Sequence, residues 1–194
     1  ITSTTNDGSY SVGQNVNVTV TMSEAVTLAS GTMSVTLNTS TPNILTVPDL
    51  AISDLEDISY TYTVLEDETA TPLTVTALSA TSNQLVDAAG NEADLSLPLG
   101  ENLADNSTIN VDGEFPVITG ISATITPDTL GLGETIDVEI EFNEALTLSA
   151  LGSLDVLFDT GQTVSITSIA ASSTAIATYT VGVGEESTDL AVTS

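Results

Sequence analysis

Carboxylates are the only ionised side chains in this sequence. Among 194 residues there are 27 Asp and Glu but no Lys, Arg, His or Cys, so the formal net charge is −27. Serine or cysteine nucleophiles have no imidazole to activate them, zinc-type sites lack His and Cys, and a phosphate loop lacks its lysine. Nucleic acid is not an expected partner, because phosphate binding rests on Lys and Arg. Two chemistries remain open to clustered acids. Paired carboxylates can cleave glycosides, and Glu66, Asp67 and Glu68 or Glu185 and Glu186 supply such pairs. These pairs fall in turns, however, aromatic residues are 4% of the chain and Trp is absent, so no platform for a sugar is present. The sequence therefore reads as non-enzymatic. The other chemistry is calcium, which takes oxygen ligands from carboxylates, Asn side chains and carbonyls.

The elements that position these acids come in two copies on either side of the stretch Val111 to Gly120. Ile121 to Ser149 repeats the pattern of Ile1 to Ala29 at a spacing of 120, with Gly13 on Gly133, Glu24 on Glu144 and Leu28 on Leu148. Further on, Tyr62-Thr63-Val64 recurs as Tyr179-Thr180-Val181 and Leu73 with Val75 as Leu190 with Val192, now 117 apart. Drift of this kind is what loop insertions leave. Two domains follow, residues 1–112 and 113–194. The second is expected to be incomplete at its C-terminus, lacking a counterpart of Val86 to Val111, as a window on a longer polymer would be.

Within each copy the period is two. Val16, Val18, Val20 and Met22 alternate with polar residues, as do Ile136, Val138, Ile140 and Phe142, which marks half-buried antiparallel strands. Further strands are expected at Met33–Asn38, Ile44–Ile52, Ile58–Leu65, Leu73–Leu78, Ala93–Leu97 and Thr108–Val111. In the second copy they are expected at Val117–Thr126, Leu154–Phe158, Val164–Ile169 and Ile176–Val181. No segment carries a sustained helical stripe. An apolar content of 41% and a mean hydropathy of +0.28 set the chain apart from disordered acidic sequences. About six or seven strands per copy, with turns roughly every 8–12 residues, predict an all-β chain of two tandem immunoglobulin-like β-sandwich domains. A closed barrel is the alternative. A tandem array favours the sandwich, since it needs chain ends at opposite poles.

In such a sandwich, three loops meet at one pole: Asn6-Asp7, Glu66-Asp67-Glu68 and Asp112-Gly113-Glu114. The placement resembles the calcium-binding junctions of cadherins, which implies a Ca2+ site from Asp7, Glu66, Glu68, Asp112 and Glu114, with Glu144 joining from the second copy. As plain turn chemistry the same residues are solvated loop acids, with Asn6-Asp7-Gly8 forming a turn. A second acidic group is Glu24 with Asp87 and Asn91. The strand ending Ser23-Glu24-Ala25-Val26, followed by Val86-Asp87-Ala88-Ala89-Gly90-Asn91, is similar to the bacterial Ig-like tandem repeats of large secreted surface proteins and adhesins. Asp112 and Pro116 match the junction that opens those repeats. The resemblance covers the first copy and, in the second, Asn143-Glu144-Ala145-Leu146. It implies an extracellular, cell-surface location and no reaction. Read physically, Asp87 to Asn91 is a β-turn with Gly90 at positive φ; as a binding site it is a second candidate ion cluster.

Asn17, Asn38 and Asn106 open three N-glycosylation sequons and are possible acceptors. The function these readings predict is a structural repeat segment of an extracellular fibre, surface layer or filament, stiffened by divalent cations. Its partners would be neighbouring repeats and copies of itself, with no membrane insertion in this segment. The alternative is an adhesin stalk that presents a binding tip or binds glycan or protein partners through its loops.

Overall fold

Residues that alternate apolar and polar can bury one face only by pairing, and nearly all the regular structure of this chain is β. The computed structural model describes residues 1–48, 52–81, 84–123 and 129–194. Residues 49–51 of the expected Ile44–Ile52 strand and 124–126 of the expected Val117–Thr126 strand lie outside these. The chain forms two compact units, Ile1–Phe115 and Pro116–Ser194.

In the first unit the elements are β1 Gly8–Tyr10, β2 Asn15–Leu28, β3 Thr32–Leu37, β4 Ile44–Pro48, β5 Leu55–Thr63, β6 Thr69–Ala70, β7 Val75–Ala80, β8 Leu85–Val86, α1 Leu103–Asn106 and β9 Ile109–Asp112. They make three small sheets, in the orders β5-β2-β8, β4-β3-β7 and β1-β9-β6. The long strand β2 pairs antiparallel with β5, Val18 opposite Tyr60, and the register shifts between Thr21 and Val26. Beyond that bulge its end pairs with β8, Thr27 opposite Val86. Inward residues of all three sheets share one core: Val16, Val18 and Val20 of β2, Tyr60 and Tyr62 of β5, Met33 and Val35 of β3, and Ile109 and Val111 of β9.

The second unit has β10 Ile118–Ala123, β11 Thr135–Leu146, β12 Leu154–Leu157, β13 Thr163–Ile166 and β14 Ser172–Thr180, in the sheets β10-β11-β14 and β12-β13. Its separate core joins Ile136, Val138 and Ile140 to Ala177, Tyr179 and Phe158. The Phe158 and Tyr179 rings lie tilted with centroids 4.8 Å apart.

The repeat seen in the sequence extends to backbone detail. The pair Thr2 with Thr19 corresponds to Ser122 with Glu139, and the bulge of β2 corresponds to one in β11 between Glu141 and Leu146. Asp54 and Ala171 both adopt positive φ, 56° and 49°. The amide of each donates to the hydroxyl of an equivalent threonine, Thr27 at 3.0 Å and Thr147 at 3.1 Å.

One expected strand is absent and one short element is unforeseen. Ala93–Leu97 is not a strand: the Ala93 N–H donates to the Leu85 carbonyl at 3.0 Å, and beyond it the Asp94 carboxylate accepts the Ser96 N–H at 2.9 Å in a local turn. A helical turn, α1, appears where no helical stripe is present. It is held by a capping box, in which Asn102 accepts from the backbone of the turn and Asp105 accepts the Asn102 N–H at 2.9 Å.

The tightest backbone approach in the first unit is at Gly113. A Cβ there would stand 2.3 Å from the Leu65 carbonyl and 2.8 Å from that of Glu68. Gly113→Ala is expected to destabilise the first unit by about 3 kcal/mol, since backbone must move to admit the methyl. Urea unfolding with site-resolved NMR should show the second unit's transition unchanged; an unaltered first unit would disprove the close packing.

Candidate functional site: the acidic turns

The first acidic turn follows β5. Tyr62 is wholly buried at the end of that strand and Glu68 is 3% exposed. The Glu68 Oε2 accepts the Tyr62 hydroxyl at 2.8 Å and the Leu65 N–H at 3.1 Å, while Oε1 accepts the Asn43 amide at 3.0 Å. Three neutral donors thus compensate a buried charge that has no cation to pair with. Burial pushes the Tyr62 hydroxyl far above its ordinary value, and its hydrogen bond to Glu68 pushes the same way. Burial also raises Tyr60, whose buried hydroxyl has no partner among the described residues.

The same turn is built again in the second unit. The Glu185 Oε2 accepts the Tyr179 hydroxyl at 2.7 Å and the Gly182 N–H at 2.8 Å, residues that follow Tyr62, Leu65 and Glu68 by 117. The left-handed position of the turn is Asp67 at φ 61° in one copy and Gly184 at φ 80° in the other. Glycine takes that conformation without steric cost, and aspartate is among the residues that tolerate it. Donation from Tyr179, and then from Gly182, holds the Glu185 carboxyl below its ordinary value.

The structure brings together two of the three acidic segments assigned to one pole. The Asp67 N–H donates to the Gly113 carbonyl at 3.0 Å and the Gly113 N–H to the Glu68 carbonyl at 2.8 Å, while Thr69 pairs with Asp112. Glu66, Asp112 and Glu114 are exposed on these joined segments. Asp7 lies elsewhere. Its Oδ1 accepts the Thr108 N–H at 2.7 Å, because β1 runs parallel to β9 with Gly8 opposite Ile109. That places Asp7 at the start of β9 and Asp112 at its end, about 13 Å along the strand. Glu144 belongs to the second unit, in the β11 bulge; its Oε1 is buried and without a partner among the described residues. Among the described residues, no three or more acidic side chains are grouped so as to hold a metal ion.

Glu24 is exposed in the β2 bulge, and the Thr27–Val86 pairing sets the Asp87 turn beside it. The Asp87 Oδ1 accepts the N–H groups of Ala89 and Asn91, each at 2.8 Å, and Oδ2 accepts the Asn91 amide at 2.7 Å. Gly90 closes the turn at φ 88°. These donors, the Asn91 side chain foremost, hold the Asp87 carboxyl below its ordinary 3.8. In the second unit Asp159 is lowered in the same way, first by Ser187 and then by the Ala191 N–H.

The sequon asparagines are engaged as donors. The Asn17 amide reaches the Tyr60 carbonyl at 3.4 Å, that of Asn38 the Pro72 carbonyl at 3.0 Å, and that of Asn106 the carbonyls of Ile1 and Asn102 at 3.2 and 3.1 Å. Asn17 is half-buried rather than facing fully outward, since residues 3–5 fold over it through the Thr4 N–H and the Thr5 hydroxyl. The residue that sequence reasoning missed is Glu185 as the partner of Tyr179. The spacing Tyr-x5-Glu, repeated at 117, was the signal available. Comparison with protein-family models, with characterised protein sequences and with solved structures gives no match.

Removing the Glu68 carboxylate strands the Tyr62 hydroxyl and the Leu65 N–H. Glu68→Ala is therefore expected to cost the first unit about 2–4 kcal/mol by chemical denaturation, and Glu185→Ala, at a more exposed site, to cost the second unit less. In a double-mutant cycle Tyr62→Phe should recover part of the first loss; strict additivity would disprove the pair.

Depressed carboxyls stabilise the fold above their unfolded value and cease to do so as pH falls through the folded one. Stability contributed by Asp87 and Asp159 is thus fully present above pH 3.8 and lost progressively below it. Carboxyl titration by NMR should give midpoints below 3.8 for both; a midpoint at or above that value at either residue would refute its turn.

Proposed function

We propose that this chain is a structural repeat segment of an extracellular fibre, surface layer or filament, its two units being tandem immunoglobulin-like β-sandwich domains of the type found in bacterial secreted surface proteins. The role is mechanical. Each unit folds on its own core, and repetition gives length. Partners are neighbouring repeats and copies of the chain, and the setting is the cell surface.

The observation that carries this reading is what the two units share. They hold in common a bulged central strand, a left-handed residue after it, and a buried tyrosine that donates to the acid of the following turn. They share scaffold, while the acids of the loops differ between them: Asp87 to Asn91 in one, Asp159 with Ser187 in the other. A repeat kept for folding and stacking needs only the former. Composition adds support, since a chain without Lys, Arg, His or Cys has few ways to activate a nucleophile.

Divalent cations act here on exposed acids such as Glu66, Asp112 and Glu114, which lie on segments joined by backbone hydrogen bonds. Calcium relieves repulsion between them and stiffens the array. No helix among the described residues is long and apolar enough to cross a membrane.

Pulling the 194-residue chain end to end by atomic force microscopy tests the mechanical role. Two separate unfolding events are expected, lengthening the chain by about 40 nm for residues 1–115 and about 28 nm for residues 116–194 before subtraction of the folded lengths. Negative-stain microscopy in Ca2+ should show ordered assemblies that EGTA disperses. Unfolding at negligible force, with strictly monomeric particles in Ca2+, would overturn the proposal.

A further inference from the structure

The sheet β10-β11-β14 ends on β14, as the sheet β5-β2-β8 ends on β5, its counterpart at a spacing of 117. In the first unit β8 and β9 pair with β2, β1 and β6, so β5 stays at an edge. Among the described residues β14 pairs with β11 alone. Val181, just beyond it, donates its N–H to the Glu134 carbonyl and accepts the Gly133 N–H. Main-chain groups along a strand point alternately to its two sides. Ala175, Ala177 and Tyr179 therefore bond toward β11, while Thr174, Ile176 and Thr178 turn their groups to the free side. The Ser172 hydroxyl covers those of Thr174, 3.1 Å from the N–H and 2.8 Å from the carbonyl. No main-chain bond from outside β11 reaches those of Ile176 and Thr178 among the described residues.

Edge strands are ordinarily guarded by charge, proline or a bulge. β5 obeys this rule, with Asp54 before it and Glu56 and Asp57 within it. β14 does not. From Thr160 to Gly184 the sequence has no charged residue, and Ser172–Thr180 has neither Pro nor Gly. Its outward side chains Thr174, Ile176 and Thr178 are β-branched and suit a pleated surface, and Ile176 is 53% exposed. The nearest acids on that face are Asp137, Glu139 and Glu141 of β11, opposite Thr178, Ile176 and Thr174. The Asp137 Oδ1 accepts the Thr178 hydroxyl at 2.6 Å, which ties that acid down. Glu141 leans the other way, over Gly120 of β10, where a Cβ would stand 2.9 Å from its Oε2.

We infer that β14 is a self-pairing edge, through which the second unit joins antiparallel to the same strand of a second copy. This rests on the reading of the chain as an assembling repeat and names the strand by which copies meet laterally. A two-fold axis at Ile176, the middle of the nine-residue strand, overlaps its whole length. Ile176 then lies opposite itself and Thr174 opposite Thr178 of the other copy, whose main-chain groups replace the Ser172 hydroxyl. A slip of one residue would set the exposed face of one copy against the buried face of the other. The β11 strands of the two copies stand three strand spacings apart, about 14 Å. That exceeds the screening length of about 8 Å at physiological salt and falls well inside the 30 Å or so at 10 mM, so salt switches the pairing on. One edge contact is small beside the roughly 1,200–2,000 Å2 of a stable interface, and a single pairing is weak; repetition along an array compounds it.

The experiment follows sedimentation of the 194-residue chain in EGTA as NaCl is raised from about 10 mM to about 0.5 M. Monomers are expected at the low end and reversible dimers at the high end. Ile176→Asp sets two carboxylates face to face and should weaken the dimer at least about tenfold, with an unchanged circular dichroism spectrum. Because the sequence has no cysteine, Ile176→Cys reports the register. Facing Cα atoms about 5.5 Å apart lie within reach of a disulfide, and under mild oxidation in high salt this variant should cross-link at least about tenfold faster than Ser59→Cys, the exposed equivalent on β5. Monomers at every salt concentration, an undiminished dimer of Ile176→Asp, or equal cross-linking at Ser59 would each overturn the inference. Ordered assemblies in Ca2+ that form unchanged with Ile176→Asp would also overturn it, while leaving the repeat reading in place.

Discussion

A chain with no cationic side chain must satisfy its carboxylates with neutral donors or leave them in water, and this shapes every turn described above. The buried case is Glu68, where a hydroxyl, a backbone N–H and an amide converge on one carboxylate. Asp87, Asp94, Asp105 and Asp159 do the same at the surface, each accepting one or more backbone N–H groups. An ion pair would hold two side chains in one place; an acid bonded to backbone N–H groups instead orders the loop that carries it. The acids that make turns therefore do part of the work that disulfides or salt bridges do elsewhere. Those left exposed contribute repulsion, weakened by water and salt.

This division explains why the two units share what they share. The donor–acceptor geometry around Tyr62 and Tyr179 is fixed by the end of a strand and a turn of constant length, so it survives a change from Asp67 to Gly184 at the left-handed position. Nearby exposed acids have no such constraint, and Glu66 has Val183 as its counterpart. What the scaffold needs recurs, and what only meets solvent varies.

Legibility in the sequence followed the range of the interactions. Period-two alternation placed β2, β3, β5, β11, β12 and β14 because each buries one face along its own length. The repeat offsets aligned the units, and the bulges of β2 and β11 fall at equivalent positions. Glu68 was misread by its neighbours, since a run of three acids reads as solvated, and only the turn geometry turns one of them inward. Asp7 was assigned to the wrong end of β9 because the parallel pairing of β1 with β9 joins residues about a hundred apart, with no local signature. The two- and three-residue strands β1, β6 and β8 are too short to carry a period. In α1, Asn102 and Asp105 spelled a capping box, but one helical turn leaves no stripe to confirm it.

Charge also bears on association between copies of this chain. Unpaired strand edges beside exposed apolar side chains are templates for pairing between copies. Between copies of this chain the approach is opposed by like charge over a distance of about 8 Å at physiological salt, the range left by screening. The barrier falls as salt rises. The acidity that leaves the fold without salt bridges therefore also opposes pairing between copies.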